Sequence, residues 1–372
     1  MRREVGRKEE SPWQGKDKMA DYLDRLRAEF ANLNCTLMEV CGTHTHAIRR
    51  AGIHQLLPPG VRLLSGPGCP VCVTGSGYIE QAVRLSRKPK SIIATFGDLL
   101  RVPGNTSDLA QARAEGSNIR VVYSPLDALE IAERNPGAEV IFLGVGFETT
   151  APVVALAVKQ ARQRQIRNFS VLPAFKVLKP ALEILLNNPE VTIDGLIAPG
   201  HLSVITGAES FRFLAGQYQL PTVITGFKPE EIWLGIGALL RQISTGRAVL
   251  ENKYAAVVTG RGNQRAQELL KEIFKPEGAE WRGLGLIEDS GLGLADDYEE
   301  YDTRRRFGLV EIPSEEPLGC RCGEILIGKA MPEECLLFGS ACTPENPVGP
   351  CMVSAEGSCA AHFYYRSEAN GS

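Results

Sequence analysis

The stretch TLMEVCGTHTHAIRRAGIHQLLPPGVRLLSGPGCPVC, residues 36–72, carries two short apolar runs, Thr36–Val40 and Val61–Ser65. Each run ends abruptly in a polar, glycine-bearing loop: Cys41-Gly-Thr-His-Thr-His46 after the first, Gly66-Pro-Gly-Cys-Pro-Val-Cys72 after the second. Brief apolar runs bounded by Gly or Pro read as buried strands. Loops at the carboxyl ends of such strands line the ligand crevice of open α/β sheets. Three thiols and two imidazoles on these turns make the stretch the first candidate for chemistry.

Outward from it the same pattern repeats. Ser91–Phe96, Ile119–Tyr123 and Glu139–Val145 read as strands, followed by a second set at Phe169–Pro173, Ile193–Ala198, Thr222–Thr225 and Ala256–Thr259. Helix-like segments alternate with them, which predicts mainly parallel α/β sheets. Ser124-Pro125 ahead of an apolar-periodic segment to Arg134, with Asn135-Pro136-Gly137 beyond, spells out one helix from cap to stop. Thr150-Ala151-Pro152 opens another. Leu23, Leu26, Phe30 and Leu33 recur at helical spacing near the start. From about Trp281 the composition turns to Gly, Pro, Cys and charge, and periodicity fades. The expected organisation is a leader and N-terminal helix over 1–35, a first α/β lobe over 36–160, a second over 161–280, and a loop-rich module over 281–372 stapled by metal rather than by a core.

Composition limits the function classes. Forty-one basic against 44 acidic side chains leave a formal charge of -3, too balanced a field to hold nucleic acid or an anionic membrane. Met1–Lys18 is charged and lacks the apolar region of a secretory signal, and no run approaches membrane-spanning length. A cytoplasmic protein is the expectation, and in a reducing compartment ten cysteines favour metal or redox chemistry over structural disulfides. Four of them fall at 35, 41, 69 and 72 and six between 320 and 359, which suggests two thiol sites.

Phe96-Gly97-Asp98 with Arg101-Val-Pro-Gly104, Gly146-Phe-Glu-Thr-Thr150 and Pro199-Gly-His-Leu-Ser203 follow three further strands, so five loops are expected to converge on one cleft. Cys41, before a helix start, is expected to have its thiol pKa lowered by the helix dipole and to serve as metal ligand or nucleophile; the bland alternative is a buried structural thiol. Cys35 reads as a core thiol. Cys69 and Cys72 have the spacing of a redox pair or of half a zinc site completed by Cys41 and His44 or His46. His44, His46 and His201 are candidates either for ligand or proton work or for holding their loops by hydrogen bonds. Glu148 is a proton shuttle or a loop-fixing acceptor. Gly144-Val-Gly146 lacks the third glycine of a dinucleotide fingerprint. The tail thiols Cys320, Cys322, Cys335, Cys342, Cys351 and Cys359 suit a four-thiolate metal site whose identity spacing leaves open.

Together these motifs, with Ala198-Pro-Gly-His201, Trp281-Arg-Gly-Leu-Gly285 and Ser354-Ala-Glu-Gly-Ser-Cys359, resemble the HypD family of [NiFe]-hydrogenase maturation proteins over about residues 36–363. The resemblance implies a scaffold that binds a small HypC-type chaperone and carries an iron atom while it acquires one CO and two cyanides, the Fe(CN)2CO group, with cyanide delivered by a HypE-type partner bearing a thiocyanate. It implies that Cys41 anchors the iron, that Cys69 and Cys72 form a redox-active pair, and that Cys322, Cys335, Cys342 and Cys359 bind a [4Fe-4S] cluster, with Cys320 and Cys351 extra to the pattern. His44, Glu148 and His201 are then expected to position ligands or move protons. The competing readings are a free-standing iron–sulfur thiol–disulfide reductase and a zinc-dependent hydrolase built on Cys41, Cys69, Cys72 and a histidine.

Overall fold

A computed structural model describes residues 16–366; the leader before residue 16 lies outside the described residues. Among the described residues eleven strands form two sheets. The first joins β1 (Cys35–Glu39), β2 (Val61–Ser65), β7 (Gly195–Ala198), β8 (Thr222–Ile224) and β9 (Leu250–Asn252) in the order β2-β1-β7-β8-β9, all parallel. The second joins β3 (Ser91–Thr95), β4 (Ile119–Val121), β5 (Glu139–Gly146), β6 (Phe169–Lys176), β10 (Phe274–Trp281) and β11 (Gly285–Leu294) in the order β10-β11-β6-β5-β3-β4. Its first four strands in the chain are parallel, and the β10–β11 hairpin adds antiparallel to β6. The α/β class with mainly parallel sheets and a cysteine-rich C-terminal region is as the sequence indicates.

Strand side chains alternate between two cores, which is why the strands read as continuous apolar runs. In β5, Ile141 and Leu143 face a central core while Val140 and Phe142 face an outer one under the helices Pro125–Arg134 and Ala151–Gln163. In β1, Met38 joins the central core and Leu37 packs into the other outer core with Trp233 and Ile236 of the helix Pro229–Ser244. The central core therefore lies between the sheets, and it includes the buried tail cysteines. Ser124 caps its helix as read, accepting from Leu126 N, with Asp127 completing a capping box.

The chain passes from the first sheet to the second after β2, returns at β7 and leaves again at β10. The segments 36–160 and 161–280 thus each supply strands to both sheets, so a split near residue 160 does not separate them. Apolar periodicity says that a strand is buried on both faces but not which neighbour it pairs with. Two further expectations are corrected. Ala256–Thr259 is a turn and loop, not a strand; the Asn252 side chain turns the chain there by accepting from Tyr254 N and donating to Val258 O. Residues 274–294, read in part as the start of a loop-rich module, form the β10–β11 hairpin. Pro276 and Gly278 disguise β10, but Pro is tolerated in an edge strand and Gly278 falls at the bulge between Glu277 and Ala279. Among the described residues no helix is long and apolar enough to cross a membrane.

Candidate functional site

The carboxyl ends of β1, β2, β5 and β7 open on a cleft of about 280 Å³ lined by Cys41, Thr43, Gly68, Thr149, His201 and Glu356, among others. Four of the five expected loops meet there. The fifth, Phe96–Gly104, turns aside to the tail, where Arg101 Nη2 donates to the carbonyls of Pro344 and Glu345.

Cys41 caps the helix Gly42–Arg50 in extended conformation and is 8% exposed, its sulfur the one thiol among the described residues lining the cleft. Its environment reverses the sequence expectation for its acidity. Burial pushes the thiol up to about 12, Glu39 and Glu356 add to the rise, and the amides of Thr43 and His44 at the helix start pull back only in part. The helix end favours the thiolate by only a fraction of what desolvation costs it. Glu39, which the sequence reading left unassigned, holds this turn: its Oε2 accepts from Cys41 N at 2.9 Å and its Oε1 from Thr45 Oγ1 at 2.5 Å. Full burial pushes its own carboxyl up to about 7. It escaped notice because a glutamate inside an apolar run looks like a solvent-facing strand position.

The loop Gly66–Cys72 lies directly on Cys41. Gly66 N donates to Glu39 O at 2.7 Å and Gly42 N to Gly68 O at 3.1 Å. A β-carbon on Gly68 would stand 2.2 Å from Cys41 N, so only glycine allows this approach. The loop delivers Cys69 and Cys72, which are joined as a disulfide with Cα atoms 5.2 Å apart, both buried. Among the described residues no group of three or more His, Cys, Asp or Glu is arranged to hold a single metal ion.

The histidines separate. His201 lines the cleft, its ring 4.0 Å from Phe227, and partial burial lowers its pKa. His44 is fully buried against the same Phe227 ring, 4.5 Å from it, with Nε2 bonded to Gly226 O and Thr225 Oγ1 at 3.0 Å each. Burial lowers its pKa to about 4, and it ties the Cys41 helix to the loop after β8. His46 leans outward onto Ala355 O and Tyr365. Glu148 points behind the cleft wall: Oε1 accepts from Leu178 N at 3.2 Å, Oε2 is buried without a partner, and burial pushes the carboxyl up to about 7. Because this pKa exceeds its unfolded value, the folded chain holds a proton across roughly pH 4.5–7 that the unfolded chain releases. That stability is fully present below about pH 4.5 and lost as pH rises through 7, on the order of 1 kcal/mol per pH unit. Glu148→Gln is therefore expected to melt progressively higher than wild type as pH is raised from 5 to 7, with the gap then levelling off, and parallel melting curves would refute it.

Glu356 is the residue the sequence reading quoted in a motif but gave no task. It reaches from the tail into the cleft, accepts from Thr43 Oγ1 at 2.6 Å, and places its Cβ where a Gly42 side chain would stand. The tail itself packs on the disulfide: the short helices Cys322–Leu326 and Pro350–Val353 both lie against Pro70–Val73. Cys322 is within hydrogen-bonding reach of Cys320, Cys351 and Cys359. Contact with Cys322 and Cys351 draws the Cys359 thiol below its ordinary range. Cys342 accepts from Val348 N at 3.3 Å, and Cys335 is buried nearby with its thiol toward Gly319 O. Cys320, Cys322, Cys342, Cys351 and Cys359 thus form one knot of thiols, with Cys335 beside it on Gly319 O, and thiolates are the donor chemistry of an iron–sulfur cluster.

The family model described as "Hydrogenase formation hypA family", labelled HypD, matches residues 17–366. The chain is 41% identical over 359 residues to the hydrogenase maturation factor HypD of Escherichia coli strain K12, covering 95% of this chain and 96% of that one. It is 46% identical over 337 residues to HypD of Rhizobium leguminosarum bv. viciae, covering 88% and 87%, and 44% identical over 334 residues to HypD of Rhodobacter capsulatus, covering 88% and 89%. The chain therefore belongs to the HypD family of hydrogenase maturation factors.

Proposed function

We propose that this chain is the scaffold on which the Fe(CN)2CO group of [NiFe]-hydrogenase is built, working with a HypC-type chaperone and taking cyanide from a HypE-type partner, in the cytoplasm. The observation that carries the reading is Cys41, a thiol opening into a walled cleft with the loop that carries the Cys69–Cys72 disulfide held against its backbone. The iron is cargo. Cys41 anchors it as thiolate once metal displaces the proton that burial otherwise retains. His201 and Glu356 are the ionisable groups beside it and position ligands or move protons at the cleft. His44 and Glu148 act from behind the wall by fixing the loops that carry Cys41 and Phe147. The chain is then a scaffold with redox activity in metallocofactor assembly.

The tail thiols would hold a [4Fe-4S] cluster, through Cys322, Cys335, Cys342 and Cys359 by the family pattern, with Cys320 and Cys351 in the same knot. Such a cluster supplies electrons one at a time. The alternative of a free-standing thiol–disulfide reductase requires a sulfur that a soluble substrate can reach, and Cys69 and Cys72 are 3% and 0% exposed. Anaerobic co-purification with the small chaperone, followed by infrared and metal analysis, tests the proposal. CO and cyanide stretches in a brown, iron-containing complex are the expected result. Colourless protein with stoichiometric zinc and no such bands would sink it.

A further inference from the structure

We propose that the buried guanidinium of Arg282 is a positioning residue that sets how readily the Cys69–Cys72 disulfide is reduced. This rests on the redox-pair reading above. Arg282 follows β10 in a tight turn, and its side chain is 1% exposed. Its backbone N–H donates to Val73 O at 2.9 Å and its Nη2 to Thr74 O at 3.3 Å, the carbonyls that end the helical turn carrying the disulfide. Nη1 pairs with Glu316, whose carboxylate is half exposed, and Nε is buried with no partner. The charge also faces Cys320. At the following Gly283, φ +84°, a β-carbon would stand 2.3 Å from Gly323 O, next in the chain to Cys322, so the turn lies close on the tail. One cation is thus pinned between the disulfide turn and the tail thiols.

A guanidinium stays protonated, and in a poorly solvated interior its field acts strongly on a neighbouring charge. Reduction by a dithiol breaks the Cys69–Cys72 S–S bond, forms the cyclic disulfide of the reductant, and moves two electrons and two protons to the cysteines. Whatever fraction stays as thiolate is an anion in the interior, and a nearby cation favours it. Burying a charge this completely is costly unless something uses it, and Glu316, being half in water, screens it only in part.

The test is equilibration of the full chain in dithiothreitol redox buffers, with alkylation and mass analysis of the peptide holding both cysteines. Arg282→Gln is expected to shift the equilibrium toward disulfide about tenfold, which is about 30 mV for a two-electron couple. Arg282→Lys, which keeps the charge but loses the fork, is expected to stay within about threefold of wild type. Glu316→Gln, a surface change that leaves the cation less screened, is expected to shift severalfold the other way, and it reads the effect even if the Arg282 variants do not fold. An unchanged equilibrium in Glu316→Gln, or equal shifts in the Gln and Lys variants of Arg282, overturns the assignment while leaving the redox pair standing. A wild-type disulfide that no buffer ratio reduces overturns the redox-pair reading and this one with it.

Discussion

Cys41→Ser is expected to abolish the CO and cyanide infrared bands of the complex with its small chaperone while leaving the fold intact. The substitution changes one atom. At 8% exposure the serine hydroxyl fits the same space, and Glu39 and the Gly68 carbonyl still hold the turn through backbone groups alone. A hydroxyl is a far weaker and harder donor to low-spin iron than a thiolate, and no second thiol lines the cleft among the described residues. Removing a group that merely supports a ligand costs roughly 10–100-fold in metal affinity. Loss of the anchor itself is expected to exceed that range and leave the bands at background. Thermal melting should show a loss of about 1 kcal/mol, the usual size of a single substitution and too small to unfold the chain. Bands that persist in the serine variant would remove Cys41 from its role.

Gly68→Ala is expected to do comparable damage without touching a reactive atom. The new methyl would sit 2.2 Å from Cys41 N and from Val40 C, both backbone atoms that have no rotamer by which to yield. The loop Gly66–Cys72 must back away, which stretches the Gly42 N to Gly68 O bond and separates the disulfide from Cys41. Overpacking of this kind costs typically about 1–3 kcal/mol. Gly137→Ala is the control: nothing stands within 4 Å of its added carbon, so it should melt within about 0.5 kcal/mol of wild type. Calorimetry of both variants, with iron content measured in parallel, checks this. If Gly68→Ala behaved like Gly137→Ala, the close approach that joins the two thiol sites would be wrong.

The parts of the site visible in advance were those whose chemistry is local. Cys41, Cys69, Cys72 and His201 announce themselves because thiols and imidazoles on glycine turns after apolar runs have few other uses, and the structure puts the Cys41, Cys69–Cys72 and His201 loops around one cleft. Glu39 and Glu356 were hidden for opposite reasons. Glu39 sits in a strand where charge normally faces water, yet it is buried 1% exposed to hold two groups of the next turn. Glu356 lies more than 300 residues from Thr43, its partner, and no spacing rule reaches across that distance. His44 shows the converse: its motif position suggested the cleft, and a bond to Gly226 O holds it in the wall instead.

By itself the sequence determined the class of fold, the caps and stops of its helices, the two groups of thiols, and, through joint motifs, the family. Those features depend on periodicity, turn chemistry and residue type, which act over a few positions. Only the tertiary structure decided which strands share a sheet, because strands buried on both faces carry no mark of their neighbours. It alone decided that Cys41 has a raised rather than a lowered pKa, since burial is a property of everything packed around a thiol and outweighs the helix end it caps. It also brought the tail thiols against Cys69 and Cys72, some 250 residues earlier in the chain, through a core that neither segment could form alone.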